Sequence, residues 1–261
     1  MIDSPLDALV SRAERLLARI EAIVPHALVA PDWSAATAFR YRKRGACGWL
    51  QPVRQAATIA LADLKEVDGQ KARLVRNTER FVAGLPANNV LLTGARGTGK
   101  SSLIKACLNA FAPQGLRLIE VDKFDLVDLV VQRPERFVVF CDDLSFDEGE
   151  PGYKALKSIL DGSIAQTSDN VLVYATSNRR HLLPEYMREN LTYTHTDDGE
   201  VHPGEVVEEK TSLSERFGLW LSFYPFSQQE YLAIVAQWLR HFGVAESDLE
   251  RARQPALVPR K

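Results

Sequence analysis

Cysteine is scarce in this sequence, and neither sign of charge predominates. Cys47, Cys107 and Cys141 are odd in number and have no metal-binding spacing, which argues against a disulfide framework or a structural zinc site. We therefore expect a reducing, cytoplasmic location. The formal net charge is only −2, so the overall charge does not support a nucleic-acid partner. Acidic residues near the N-terminus argue against a secretory signal, and no apolar run approaches the roughly 20 residues that span a bilayer, so we expect no membrane partner.

Short apolar runs alternate with helical patterns through the chain after Pro86. The runs are rich in Val, Leu, Ile and Phe, which is typical of strands buried on both faces. This alternation predicts an α/β fold with three layers (α/β/α) and a five-stranded parallel sheet. The predicted strands are residues 90–93, 116–121, 137–141, 171–176 and 220–224, and the predicted helices between them are residues 100–111, 124–132 and 153–165.

The N-terminal part shows a different pattern. Apolar residues at three- and four-residue steps predict an amphipathic helix over about residues 5–24, whereas we expect residues 31–48 to be irregular. Residues 40–44 combine four cations with neighbouring aromatic residues and could contact nucleic acid, but a solvated turn is the favoured interpretation. Helical patterns return over residues 55–83, with an interruption at 67–69. The polar, acidic stretch 190–212 predicts a surface loop or hairpin.

One motif at the end of the first apolar strand specifies phosphate binding. Residues 94–101 fit G-x-x-x-x-G-K-[ST] directly between a predicted strand and a predicted helix, which is the context that a P-loop requires. Its glycines let backbone N–H groups surround phosphate oxygens, and the helix adds the positive end of its dipole. Lys100 should reach the β- and γ-phosphates, and Ser101 should bind Mg²⁺. The predicted nucleotide-binding residues are Gly94, Ala95, Arg96, Gly97, Thr98, Gly99, Lys100, Ser101 and Ser102.

Polar residues follow two further strands. Asp142 and Asp143 end the strand at 137–141 in a Walker B pattern, where Asp142 should hold Mg²⁺ and Asp143 should polarise the attacking water. Asn178 follows the strand at 171–176, at the place of sensor 1 in AAA+ proteins, and is a further candidate catalytic residue. Arg216, just before the last strand, is a candidate arginine finger that acts on the nucleotide of a neighbouring subunit. A surface salt bridge is the alternative interpretation of Arg216.

With these residues in view, the sequence resembles a bacterial branch of the AAA+ P-loop ATPases, catalogued as domain of unknown function 815. The resemblance runs from about Trp49 to Gly243. It is carried by the strings NNVLLTGARGTGKSSLIKA, VVFCDDLSF, ATSNRRHLLPEYM and LSERFGLWLSFYPF.

The resemblance implies ATP as ligand, Mg²⁺-dependent hydrolysis and assembly into a homo-oligomer, and it names no client. It also implies that residues 67–71 flank the adenine and that a helical lid begins at Gln228. We expect no second lid helix and no sensor 2 arginine in the rest of the sequence, so the tail should be shortened or divergent, with Arg240 and Arg251 as imperfect substitutes. We divide the chain into a helical extension (1–54), a nucleotide-binding α/β domain (55–226) and a partial lid with tail (227–261).

Three functions are compatible with these residues. The leading hypothesis is an ATPase that couples hydrolysis to conformational change or assembly on a macromolecular client. The main alternative is a nucleotide-gated binding or assembly module with little turnover, favoured by the short lid and by an aspartate at position 143, where many AAA+ proteins have glutamate. A small-molecule kinase is the least favoured, because no acceptor pocket can be identified.

Overall fold

Seven strands form one sheet in the computed structural model, which describes residues 5–21, 31–44, 47–54, 58–121, 133–144, 160, 169–178, 194–195, 201–202 and 216–249. The strands are β1 (Ala38–Arg44), β2 (Cys47–Pro52), β3 (Val90–Gly94), β4 (Leu116–Glu120), β5 (Arg136–Cys141), β6 (Val171–Ser177) and β9 (Leu219–Phe223). The helices with full bounds are α1 (Pro5–Glu21), α2 (Asp68–Val82), α3 (Lys100–Phe111) and α4 (Gln228–His241), with 3₁₀ turns at Leu61–Asp63 and Ala112–Gln114. Residues 246–249 are helical as well, so a further helix begins after α4, where none was expected.

Five of these strands make the parallel core of the sheet, in the order β9-β3-β6-β5-β4. Their central residues are almost fully buried, as expected for parallel strands covered on both faces. Each strand lies within one residue of its predicted bounds. The α/β fold class is confirmed, and the carboxyl ends of all five strands lie along one edge, where such sheets bind ligands.

The strand count and the interpretation of residues 31–48 were wrong. β1 and β2 form an antiparallel hairpin, and β1 adds parallel to β4, so the sheet has seven strands instead of five. Phe39 and Tyr41 point into the core, and Arg40 and Arg42 alternate with them, which is strand periodicity. Trp33 packs edge-to-face against Phe39 and Phe137 at this end of the core, with ring centroids 4.8 Å and 4.7 Å apart. Residues 1–54 therefore contain a hairpin besides a helix, and the domain boundaries at 54 and 226 remain predictions.

Two helices pack on one face of the sheet and position the phosphate loop. The apolar faces of α2 and α3 bury Leu74, Phe81, Leu103 and Ile104 against the strands. The core on the opposite face of the sheet includes Trp33. The two helices predicted at 124–132 and 153–165 lie outside the described residues, apart from residue 160. α1 matches the predicted N-terminal helix up to Glu21.

The stretch 190–212 was expected to form a surface loop or hairpin. In it, β7 (Thr194–His195) pairs antiparallel with β8 (Val201–His202), which fits a hairpin. The rest of that stretch lies outside the described residues.

Cys107 and Cys141 are buried free thiols, and burial raises the pKa of Cys107 to about 12. Among the described helices, none combines the length and apolar character needed to cross a membrane.

Candidate functional site

The loop from β3 to α3 has the backbone of a phosphate cradle. Gly94, Gly97 and Gly99 all have positive φ angles, of 129°, 77° and 88°. A Cβ at position 94 would lie 1.8 Å from the carbonyl oxygen of Phe223, so the loop can leave β3 beside β9 only with glycine there. Gly99 is the N-cap of α3 and has no side chain that could cap the helix. The first-turn N–H groups of α3 therefore face the loop as donors suited to an anion.

Lys100 is folded back over this loop. The residue is only 6 % exposed to solvent, which is unusual for a lysine. The ammonium donates to the carbonyl oxygens of Gly94 (2.8 Å) and Ala95 (2.7 Å) and to Asn178 Oδ1 (3.0 Å). These contacts use all three donors of an ammonium group. Burial lowers its pKa, while the nearby Asp143 and Asp142 carboxylates counteract that shift.

Hydroxyl oxygens from two elements converge on Asp142. Ser101 Oγ, in the first turn of α3, donates to Asp142 Oδ1 at 2.5 Å, and Thr176 Oγ1 of β6 donates to the same oxygen at 2.7 Å. Mg²⁺ prefers oxygen ligands, such as hydroxyl and carboxylate oxygens. A magnesium site that also binds a phosphate needs only one or two carboxylates, because phosphate and water oxygens supply the other ligands. The set therefore fits Mg²⁺. Within the described part of the chain, no group of three or more His, Cys, Asp and Glu side chains is arranged to hold a metal ion.

Asp143 has an unusual backbone and three polar contacts. Its φ is 54°, and its N–H donates to Thr176 Oγ1 at 2.9 Å. The carboxylate accepts a hydrogen bond from Asn178 Nδ2 at 2.5 Å and forms a 3.6 Å ion pair with Arg96 of the phosphate loop. A left-handed backbone at a residue other than glycine costs energy and is concentrated at functional sites. The Asp143 carboxylate is thus aimed at the loop and held there from two sides.

These side chains surround a cavity of about 470 Å³. Its polar lining consists of the phosphate loop with Asp142, Asp143, Thr176 and Asn178, together with Asp63 and Lys65. Its apolar lining consists of Ile59, Leu64, Val67, Phe226, Ile234 and Trp238. A loop rich in N–H groups and an apolar, aromatic lining in one cavity suit a triphosphate joined to a planar base.

The apolar lining comes from segments that are distant in sequence. α4 begins at Gln228, directly after its N-cap Ser227, whose hydroxyl and backbone N–H make reciprocal capping contacts with Glu230. The helix places Ile234 and Trp238 on the cavity. Gln237 Nε2 donates to the carbonyl oxygen of Asp63 at 2.9 Å and so ties α4 to the 3₁₀ turn at Leu61–Asp63. None of the α4 residues is fully buried. The side chains that α4 places on the cavity therefore remain partly exposed.

Arg216 is placed at the other end of the sheet. It precedes the amino end of β9, whereas the phosphate loop follows the carboxyl end of the neighbouring β3. Arg216 and the phosphate loop are therefore separated by about the length of β9, which is about 16 Å for five residues at 3.3 Å per residue. Arg216 is not among the described residues that line the cavity. Of the two candidate substitutes for sensor 2, Arg240 pairs with Glu246 (2.6 Å), and Arg251 lies outside the described residues.

Sequence reasoning missed several residues of this site. Thr176 contacts both acids and could have been found, because strand alternation puts it on the same side of β6 as Asn178. The apolar lining was only partly anticipated. Residues 67–71 were expected to flank the adenine, and of these Val67 lines the cavity. Lys71 Nζ donates to the carbonyl oxygen of Leu64 (2.8 Å), which shapes the backbone of this lining. The contributions of Phe226, Ile234 and Trp238 depend on how α4 folds back, which no local pattern encodes.

Comparison with protein families assigns the chain. Residues 34–258 match the model of the family described as "Protein of unknown function (DUF815)". The chain is a DUF815 protein. No match is found among curated proteins.

Several solved structures are similar to this DUF815 protein in fold. One is from the E. coli MS115-1 HORMA:CdnC:Trip13 complex, with a TM-score of 0.47, 16 % identity and 74 % of each chain covered. Another is the Thermotoga maritima RuvB Holliday junction branch migration motor, with a TM-score of 0.43, 17 % identity, and 69 % of this chain and 51 % of that chain covered. A third, DnaI, has a TM-score of 0.44 and 19 % identity, with 74 % of this chain and 96 % of that chain covered. The chain therefore spans about half the length of the RuvB chain that it matches.

Proposed function

We propose that this DUF815 protein binds ATP with Mg²⁺ and hydrolyses it, and that turnover drives conformational change or assembly on a macromolecular client. The observation that carries the proposal is the meeting of five polar residues in a cavity that also has an apolar, aromatic lining: Lys100, Ser101, Asp142, Asp143 and Asn178.

Phosphate binding follows from the contacts of Lys100. Its three donors contact two neutral carbonyl oxygens and a neutral amide oxygen. Phosphate oxygens replace some of these acceptors, and hydrogen bonds between charged groups are about twice as strong as those between neutral ones. Backbone N–H groups at the start of α3 supply the remaining donors.

Hydrolysis needs a group that orients water and accepts its proton. Bound Mg²⁺ would be held by Ser101 and Asp142 and would offset charge on the phosphates. Asp143 is the candidate base, and Asn178 links it to Lys100, since its amide donates to Asp143 and accepts from Lys100. This bridge would keep the base and the phosphate-binding cation in fixed relation during the reaction.

Arg216 would complete the site of a neighbouring subunit. Its position about 16 Å of strand away from the loop of its own chain favours action in trans within a homo-oligomer. Measured arginine fingers contribute about 10³ to 10⁵ in rate. We therefore expect Arg216→Ala to bind ATP near normally and to lose hydrolysis, while Arg73→Ala, an exposed arginine on α2, keeps both.

A mixing experiment tests the shared site. Lys100→Ala lacks the phosphate-binding cation but keeps Arg216, and Arg216→Ala has the opposite defect, so each should be inactive alone. Mixed assemblies place an intact loop beside an intact arginine, so phosphate release should reappear in the mixture. Mixed oligomers that form and stay inactive would contradict action in trans.

The alternative function is an ATP-gated assembly module with little turnover. The observation that favours it is the 3.6 Å ion pair between Asp143 and Arg96, because it engages the carboxylate that the leading proposal needs to orient water. In that case ATP would bind tightly and shift the oligomeric state. Steady-state phosphate release would then stay near background at every protein concentration, whereas the leading proposal expects specific activity to rise with assembly.

A further inference from the structure

A basic and aromatic face lies on the β1–β2 hairpin, outside the nucleotide cavity. Residues 33–62 contain five Lys or Arg and no Asp or Glu, although the whole chain has 34 acidic residues and a net charge of −2. The hairpin is at the edge of the sheet, four strands away from β3 and its phosphate loop. The excess of positive charge is therefore local, and the near-neutral total hides it.

Strand register separates the two faces of the hairpin. Tyr41 pairs with Leu50, and both side chains are buried in the core. Arg42 pairs with Trp49, and Arg40 pairs with Gln51, on the opposite face. Trp49 is 45 % exposed, a large fraction for a tryptophan, and Arg42 and Gln51 are exposed beside it.

The charges on this face are only partly compensated. Arg40 donates to Glu120 through Nε (3.0 Å) and Nη2 (2.7 Å), so its charge is paired. Arg42 donates to the neutral Gln51 Oε1 at 3.4 Å, and among the residues that the structure describes no carboxylate forms an ion pair with it. Arg42 thus keeps its positive charge next to an exposed indole.

Protection of the sheet edge does not explain this pattern. Cations on an edge strand prevent edge-to-edge association of sheets, but the edge strand is β2, and Arg42 lies on β1. An exposed tryptophan has the opposite effect, because it offers apolar surface to other molecules. A planar ring beside a guanidinium is instead the combination that binds single-stranded nucleic acid, through base stacking and phosphate contacts.

We propose that the β1–β2 hairpin binds single-stranded nucleic acid, with Trp49 stacking on a base and Arg42 contacting a phosphate. An exposed indole stacks on a base that is not already stacked between its neighbours, and the bases of a duplex are, which favours a single strand. This inference does not depend on the nucleotide site, because the hairpin contributes none of the described cavity-lining residues.

The test is fluorescence anisotropy with labelled 20-mers of dT and of rU, and with a dT–dA duplex of the same length, all without nucleotide. The full chain should bind the single strands more tightly than the duplex. Trp49→Ala should weaken binding by about tenfold or more, since one stacked base is worth roughly 1–3 kcal/mol, and Trp49→Phe should restore part of the loss. Arg42→Glu should weaken binding and lower the slope of log K against log salt by about 0.7 for each lost phosphate contact.

Matched controls separate this proposal from general charge attraction. Arg76→Glu makes the same change of net charge at an exposed position on α2 and should bind like the parent, and thermal melting of each variant checks the fold. The comparison of dT with rU tells whether DNA or RNA is preferred. The proposal would be overturned if Trp49→Ala bound as tightly as the parent, or if Arg76→Glu lost as much affinity as Arg42→Glu. It would also be overturned if polyglutamate displaced the labelled strand as effectively as an oligonucleotide does. Binding to anionic vesicles but not to the oligonucleotides would do so as well.

Discussion

Replacing Gly94 with alanine should damage the protein far more than the same change at Gly97. An ideal Cβ at position 94 would meet the carbonyl oxygen, carbonyl carbon and nitrogen of Phe223 at 1.8, 2.7 and 3.0 Å. Ordinary carbon–oxygen contacts are about 3.4 Å, so β3 and β9 would have to separate locally by about 1.5 Å. That shift would disturb the last pair of their ladder and the 3.3 Å contact from Ala95 N–H to Phe223 O.

The expected cost combines two terms. Overpacking costs about 1–3 kcal/mol, and a positive φ of 129° at a residue with a Cβ costs about 1–3 kcal/mol more. Gly97→Ala has only the second kind of cost, about 1–2 kcal/mol, because its φ is 77° and no atom lies within 4 Å of the added Cβ. We therefore expect Gly94→Ala to lose about 2–6 kcal/mol.

Urea unfolding followed by circular dichroism measures this difference. Gly94→Ala should unfold at clearly lower urea than Gly97→Ala, and its melting temperature should fall by roughly 2–4 °C per kcal/mol lost. Equal losses in the two variants, or a larger loss in Gly97→Ala, would refute the close approach of β9 as the reason for glycine at position 94.

Three further predictions concern single side chains of the site. Trp238→Ala should weaken ATP binding by about 1–3 kcal/mol but leave tripolyphosphate binding unchanged, because Trp238 offers the cavity an aromatic ring that suits a base and not a phosphate; equal losses for both ligands in calorimetry would contradict this. Thr176→Val should lose about 1–3 kcal/mol of stability in denaturant unfolding, because the Asp143 N–H loses its acceptor, and Thr176→Ser, which keeps the hydroxyl, should lose much less; similar losses would exclude the hydrogen bond as the cause. Burial lowers the pKa of Lys100 from its ordinary 10.5 and anionic phosphates raise it again, so ATP affinity should fall as the pH rises through the alkaline range, beginning below 10.5; constant affinity up to that pH would argue against a charged Lys100 as ligand.

The parallel core could be predicted from sequence because its signals are local. Continuous apolar runs gave the five core strands to within one residue, and the phosphate loop placed the start of α3 at Lys100. The residues at the carboxyl ends of β3, β5 and β6 had to meet, because parallel strands end at the same edge. Asn178 indeed contacts both Lys100 and Asp143.

The β1–β2 hairpin was not predicted because its many cations drew attention away from the alternation of apolar and polar residues. Phe39 and Tyr41 alternate with Arg40 and Arg42, which is a strand pattern, but four cations within residues 40–44 suggested a solvated turn. The contact between Gln237 and Asp63 could not be predicted at all, since it joins residues 174 positions apart and depends on how α4 folds back over the cavity. The roles of Asp143 and Arg216 in hydrolysis remain predictions.

Calorimetric titration with ATP and Mg²⁺ tests the central claim most directly. The parent chain and Lys105→Ala, a control on the same helix outside the described cavity lining, should bind ATP, while Lys100→Ala should lose binding and keep its circular dichroism spectrum. A correctly folded Lys100→Ala variant that binds ATP with the affinity of the parent would show that the loop from β3 to α3 is not the phosphate site.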